Sequence, residues 1–366
     1  MTSARPRNHA FDLLCGLCIV RMVMLHVVGM CHLRGELWFQ KLMAWTFFFL
    51  CFFFFKAGYF NRTVGGSTRA FVWDKARRLL LPYVCWGLIG NLVYFGFLYG
   101  WPRLFASTLR QVRWSHLWEA SQFYGNPPVW FLFSFFMMYV IVHLWRRWTS
   151  GPSPQPSPVM GREPSGTPPP PLWGEVGKGA CSFLWLLLPA LSYWLWTRGN
   201  PLWMSLGNVP MGVFCFELGH WWHEAERRLP RGWFVALSVA LVVLFLYGNH
   251  HWHGECDMAL NKWVQRPWGS VLNTTCAVCG LSGLLLSLPL RRVPWLGFVG
   301  EHSMVFFVMH YPLIFLYRMG LQVAHVSVCG QWAHGVGMLV LIFLVCGLLV
   351  PRIEKVPWLS GRFPKK

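Results

Sequence analysis

Two histidines stand inside long apolar runs of this chain. His26 closes the run that begins at Phe11, and His310 lies in the run Phe298–Pro312. An ionisable side chain in lipid costs free energy, so an intramembrane histidine marks a working site by default. Desolvation favours the neutral imidazole, which can take a proton from a hydroxyl during acyl transfer. The plainer reading is a histidine bonded to a neighbouring helix. His26 lies fifteen residues beyond Phe11, and His310 lies sixteen beyond Pro294. At 1.5 Å per residue both sit roughly 22–24 Å along their helices. Two imidazoles at one depth can serve one reaction, and they are the candidate catalytic residues.

Other polar groups share these runs. Arg21 lies five residues before His26 and cannot easily reach the interface from mid-helix, so it is expected to face the protein interior or an aqueous cavity and meet an acidic or carbonyl partner. Asp12, at the inner end, either pairs with a basic residue or caps the helix. Glu217 and His220 lie near the inner face, where they either line the same cavity or form a structural ion pair. The loop from Lys56 to Arg78 is the densest basic cluster, with Lys56, Arg62, Lys75, Arg77 and Arg78 all expected to face the cytoplasm. It serves either topology and anionic lipid contact, or the phosphates of a cytoplasmic donor.

Helices in a membrane must position these groups. The 366 residues are 55% hydrophobic and 12% charged, about half the charge of a soluble domain. The net charge of +19 is spread over loops with no basic block, which excludes a nucleic-acid binder. Apolar runs fall near residues 11–31, 37–56, 79–99, 127–145, 181–197, 201–222, 233–249, 268–288, 295–317 and 332–350. The first has no small-residue cleavage site and reads as an uncleaved helix. With the N-terminus inside, 22 of the 32 basic residues fall on the cytoplasmic side and nine outside, with Arg21 within the first span, as the positive-inside rule requires. Nine prolines and six glycines in residues 151–180 read as a cytoplasmic linker or insertion.

The sequence therefore predicts an all-α polytopic membrane protein with about ten transmembrane helices and both termini cytoplasmic. Helices 1–4 occupy residues 1–150, the linker 151–180, and helices 5–10 residues 181–366. No internal repeat is visible. Most cysteines read as buried hydrophobes; Cys31, Cys256 and Cys329 fall at outer ends or loops, where a disulfide is the alternative. His250, His251, His253, Glu255 and Asp257 match no standard zinc spacing. They read as a solvated outer loop, and no metal is expected.

Several stretches resemble a known family. Phe11–His26 resembles the first helix of the acyltransferase-3 superfamily of ten-helix membrane acyltransferases, with its terminal histidine. The aromatic run from Phe52 to Gly58-Tyr59-Phe60, the segment from Phe71 through Arg78 to Pro82-Tyr83, Pro128-Val129-Trp130, and Gly300 to Pro312 resemble later motifs in the same order. The resemblance is strongest to the fucose 4-O-acetylase-like sugar O-acetyltransferases of bacteria. It implies a cytoplasmic acyl-CoA donor, usually acetyl-CoA, with no permanently bound cofactor. The implied acceptor is a hydroxyl of a carbohydrate or glycolipid of the cell surface. It casts His26 as the essential histidine, and His310, Lys75 and Arg78 match other motif positions. Two positions depart from the pattern: Cys15 stands where the family commonly carries Arg or Lys, and Lys56-Ala57 replaces a polar residue before Gly58.

The expected protein is thus an O-acyltransferase of the bacterial inner membrane. His26 and His310 are its catalytic candidates, and Lys75, Arg78, Lys56 and Arg77 would hold the donor. Arg21, Trp130 and Asp12 are candidates for substrate contact. A transporter or flippase for a glycolipid or small acid, or an inactive family member, is the alternative.

Overall fold

The computed structural model describes residues 8–61, 67–99, 114–150, 184–200, 202–252, 255–258, 261–264, 266–288, 293–328 and 331–363. The expected linker at 151–180, Arg62, His253 and Cys329 lie outside them. The described residues are helical almost throughout. It begins with α1 (His9–Met30), α2 (Leu37–Trp45), α3 (Phe49–Tyr59) and α4 (Thr68–Lys75). A π turn at Ala76–Leu80 leads into α5 (Leu81–Tyr99). Then come α6 (Trp114–Ala120), α7 (Trp130–Ser150), α8 (Leu188–Thr197), α9 (Val209–Arg228) and α10 (Arg231–His251). A two-stranded antiparallel hairpin, β1 (Glu255–Asp257) and β2 (Lys262–Val264), precedes α11 (Pro267–Ser287). The last elements are α12 (Pro294–Glu301), α13 (Ser303–Val323), α14 (Trp332–Ile353) and α15 (Pro357–Ser360).

Among the described residues, eight helical stretches are long and apolar enough to cross a membrane. They coincide with eight of the ten expected runs. The other two differ in kind. The run at 181–197 appears as the shorter apolar stretch Leu184–Thr197. The run at 201–222 becomes α9, which continues to Arg228 because its charges find partners: Arg146 donates to Glu217 at 2.9 Å, Arg228 to Glu224 at 2.7 Å, and the Tyr59 hydroxyl to Glu226. The ninth run is divided at His302 into α12 and α13.

Asn8 caps α1, accepting from the amides of Ala10 and Phe11 at 3.1 and 3.4 Å, which satisfies two of the helix's free donors. Phe11, Cys15, Ile19, Val23 and Val27 recur every four residues and are each at most 1% exposed. That stripe puts α1 in the centre of the bundle, against α3 and α11 to α14. Glycines set two of its tightest crossings. A Cβ on Gly300 would meet the Asp12 carbonyl, and one on Gly16 the Leu296 carbonyl. A Cβ on Gly58 would meet the Phe216 carbonyl, and one on Gly219 the Phe55 carbonyl. Small residues let membrane helices approach until their backbones touch.

The basic region around residue 75 is helix rather than loop. Ser67 caps α4, accepting from the Ala70 amide at 3.2 Å, and the helix runs on through the π turn into α5. Cys31 and Cys256 are both buried. His250 and His251 end α10, while Glu255 and Asp257 lie in β1.

Candidate active site

The α1 and α13 helices bring the two intramembrane histidines together. Their ring centroids are 5.1 Å apart with the planes inclined by 31°. Tyr311 meets His26 edge-on at 5.2 Å. His310 is fully buried, and its Nδ1 lies 2.7 Å from the Phe307 carbonyl oxygen. A carbonyl only accepts, so Nδ1 carries the proton and Nε2 of the neutral ring keeps its lone pair. That Nε2 is buried with no hydrogen-bond partner among the described residues. His26 is half-buried, and no described residue hydrogen-bonds it. The arrangement offers two imidazole rings side by side, one held in a fixed tautomer and the other without a hydrogen bond to any described residue.

The basic residues gather at the face that carries the N-terminus, and they are not equivalent. Arg78 makes a two-pronged contact with Asp74 at 2.9 and 3.0 Å and donates to the Phe363 carbonyl at 3.2 Å. Arg77 lies 3.7 Å from Asp74 and 5.2 Å from the Phe363 ring. The C-terminal segment is pinned against the same helix by Trp86, whose indole N–H donates to the Leu359 carbonyl at 2.9 Å. Lys75 differs: its ammonium rests 3.9 Å from the Tyr139 ring centroid and 5.5 Å from that of Phe71. It has no hydrogen bond or ion pair among the described residues, which leaves it the cation best placed to receive an anion.

Lys56 reaches across from α3 to α1. Its Nζ is 3.0 Å from Cys15 Sγ and 4.0 Å from Asp12. Cys15 occupies the position where the resemblance leads one to expect a cation, and Lys56 supplies one there from the neighbouring helix. Asp12 pairs with Lys56, while the capping is done by Asn8. Arg21 donates to the Thr46 hydroxyl at 3.2 Å and lies 3.8 Å from the Phe49 ring centroid. Trp130 is buried at the start of α7 with its ring beside that of Phe131, at 4% exposure. The structure therefore joins His26 with His310 and Lys56 with Asp12; the half-buried Arg21 and the buried Trp130 have other neighbours.

Sequence reading missed Asp74, Tyr311 and the C-terminal segment. Asp74 carried a usable signal, since it precedes Arg77 and Arg78 by three and four residues, the spacing of neighbours on a helix. Deleting residues 357–366 removes the carbonyls that Arg78 and Trp86 use. It is expected to cost about 1–2 kcal/mol of stability, read as a lower melting temperature in detergent. An unchanged melting curve would show that these contacts contribute nothing.

The profile of an acyltransferase domain family matches residues 8–350, a stretch that includes both histidines and every basic residue discussed except those of the tail. The chain belongs to the acyltransferase-3 family. No curated protein and no solved structure matches the chain. For a membrane acyltransferase, the C-terminal segment against Arg77 and Arg78 is notable because it lies beyond the matched region.

Proposed function

We propose that this membrane acyltransferase moves an acyl group, acetyl in the first instance, from a cytoplasmic acyl-CoA to a hydroxyl of a cell-surface carbohydrate or glycolipid, as in the fucose 4-O-acetylase-like enzymes. Its setting would be the bacterial inner membrane, with both termini in the cytoplasm. The adjacency of His26 and His310 carries the reading. The half-buried His26 takes the proton from the acceptor hydroxyl as its oxygen attacks the thioester carbonyl, then returns it to the departing CoA thiolate. The products are an ester and free CoA thiol, and the proton count closes. The bare Nε2 of His310 is the second acceptor and orients His26 or the incoming hydroxyl.

Lys75 is the main contact for donor phosphate, with Lys56 nearer the core. Arg77 and Arg78 join them only if the C-terminal segment yields. From the level of Asp12 to that of His26 the helix rises ~21 Å, a distance for the donor's extended pantetheine arm to cross. Lys56 beside Cys15 also favours an active enzyme over a silent family member, because the cation absent from α1 is present in space.

The test is to incubate membranes holding the protein with radiolabelled acetyl-CoA and extracted glycolipids. Label should reach a glycan with wild type and fail to with His26→Ala. Equal labelling by the two would remove His26 from the chemistry, and no labelling by a correctly inserted wild type across a broad acceptor panel would overturn the reading. Lys75→Ala is expected to raise the donor KM about 10–100-fold, the worth of a charge-assisted hydrogen bond, with kcat little changed. A donor KM within twofold of wild type would assign Lys75 to packing on Tyr139 alone.

A further inference from the structure

Pro312 lies inside α13. It has no N–H to offer the carbonyl four residues back, that of Val308. Val308 is 0% exposed, so this carbonyl has no access to bulk water, and a buried backbone oxygen without a donor is costly. The donor comes from a distant part of the chain. Asn126 Nδ2 lies 2.8 Å from Val308 O, and the same amide group also reaches the Trp86 carbonyl at 3.3 Å.

Asn126 is itself held firmly. It is 0% exposed in the connection between α6 and α7, with its own N–H bonded to the Phe123 carbonyl at 3.0 Å. Gly125 and Gly90 touch backbone to backbone: a Cβ on Gly125 would strike the Gly90 carbonyl. The Gly125 amide donates to Asn91 Oδ1 at 2.9 Å, and the Tyr83 hydroxyl donates to the Ser121 carbonyl at 3.0 Å. Non-helical backbone at this depth is tolerated only where protein surrounds it, and here it does.

Two adjacent carbonyls of α13 thus have side-chain partners. Phe307 O receives His310 Nδ1, and Val308 O receives Asn126 Nδ2. We propose that Asn126 is a positioning residue: its carboxamide replaces the backbone donor that Pro312 lacks and fixes the turn that aims His310 at His26. The catalytic sense of this proposal rests on the function proposed above.

The test uses full-length protein in detergent and two readouts. With Asn126→Leu, which has similar bulk and no donor, kcat should fall about tenfold or more while donor KM stays within twofold. Adding Pro312→Ala restores an N–H at position 312 and should recover most of that loss. The second readout needs no activity: the rate at which diethyl pyrocarbonate modifies His310, resolved by mass spectrometry, should rise several-fold in Asn126→Leu and return in the double variant. If the wild type transfers no acyl group, the modification rates still decide the role of Asn126. If Asn126→Leu does not fold, Pro312→Ala is compared with Pro312→Ala/Asn126→Leu, and the proposal requires equal kcat and equal modification rates. Wild-type kcat and wild-type modification rate in Asn126→Leu, or a further large loss in the second comparison, overturns it.

Discussion

His26→Ala and His310→Asn are each expected to lower the acyl-transfer rate by about 10²–10⁴-fold, the usual contribution of a positioned acid–base group. Both proteins should still insert and purify. Asparagine at 310 keeps a short N–H donor for the Phe307 carbonyl and removes only the far nitrogen, so it isolates the Nε2 lone pair from the helix geometry. The rings are in contact at 5.1 Å between centroids, and groups that act as one unit are strongly non-additive. The double variant should therefore be no more than about tenfold worse than the poorer single. Single-turnover transfer from labelled acyl-CoA measures all three. A His310→Asn enzyme with at least half the wild-type rate, or a double variant that shows the full product of the two losses, would mean that the rings do not cooperate.

The second large effect is on assembly. Gly58→Leu and Gly300→Leu each force a side chain into a neighbouring backbone carbonyl, of Phe216 and Asp12 respectively. Backbone cannot step aside as a flexible side chain does, so the helices must separate, at a cost of about 3 kcal/mol or more. The recovered fraction of monodisperse protein on size exclusion should drop to about a tenth or below. Gly297→Leu and Gly320→Leu are the controls, because nothing lies within 4 Å of a Cβ at either glycine. They should elute like wild type. Monodisperse Gly58→Leu would show that the α3–α9 crossing tolerates a wider spacing than the structure gives it.

The histidine pair was legible in sequence for a simple reason. Polar groups are rare in apolar runs, and residue counts convert directly to depth along a helix. The same counting found eight of the ten spans as long apolar helical stretches, although the second is broken between Trp45 and Phe49 and the ninth at His302. It failed where partners are remote. The α9 helix is polar towards its end because Glu217 and Glu226 answer Arg146 and Tyr59 on other elements, which no local pattern reports. The 56–78 region reads as loop from its charge, yet Ser67 and the Asp74–Arg78 pair carry a helix through much of it. Lys56 and Cys15 are 41 positions apart, and Asn126 and Val308 are 182 apart. In both cases the sequence shows a residue out of place, a thiol where a cation is expected or a proline inside a helix. The residue that answers it is visible only in three dimensions.

The π turn at Ala76–Leu80 acts as a phase shift in an otherwise continuous rod. Each residue advances an α-helix by about 100°, so the extra residue accommodated in a π turn fixes the azimuth of α4 relative to α5. Below the turn, Tyr83 and Trp86 are anchored to Ser121 and Leu359; above it, Lys75 lies over Tyr139. Excising Ala76 would re-clock Lys75 away from that ring while the anchored part stayed in place. A one-residue change in length is therefore a route by which the charged end of this helix can be retuned independently of the histidine pair.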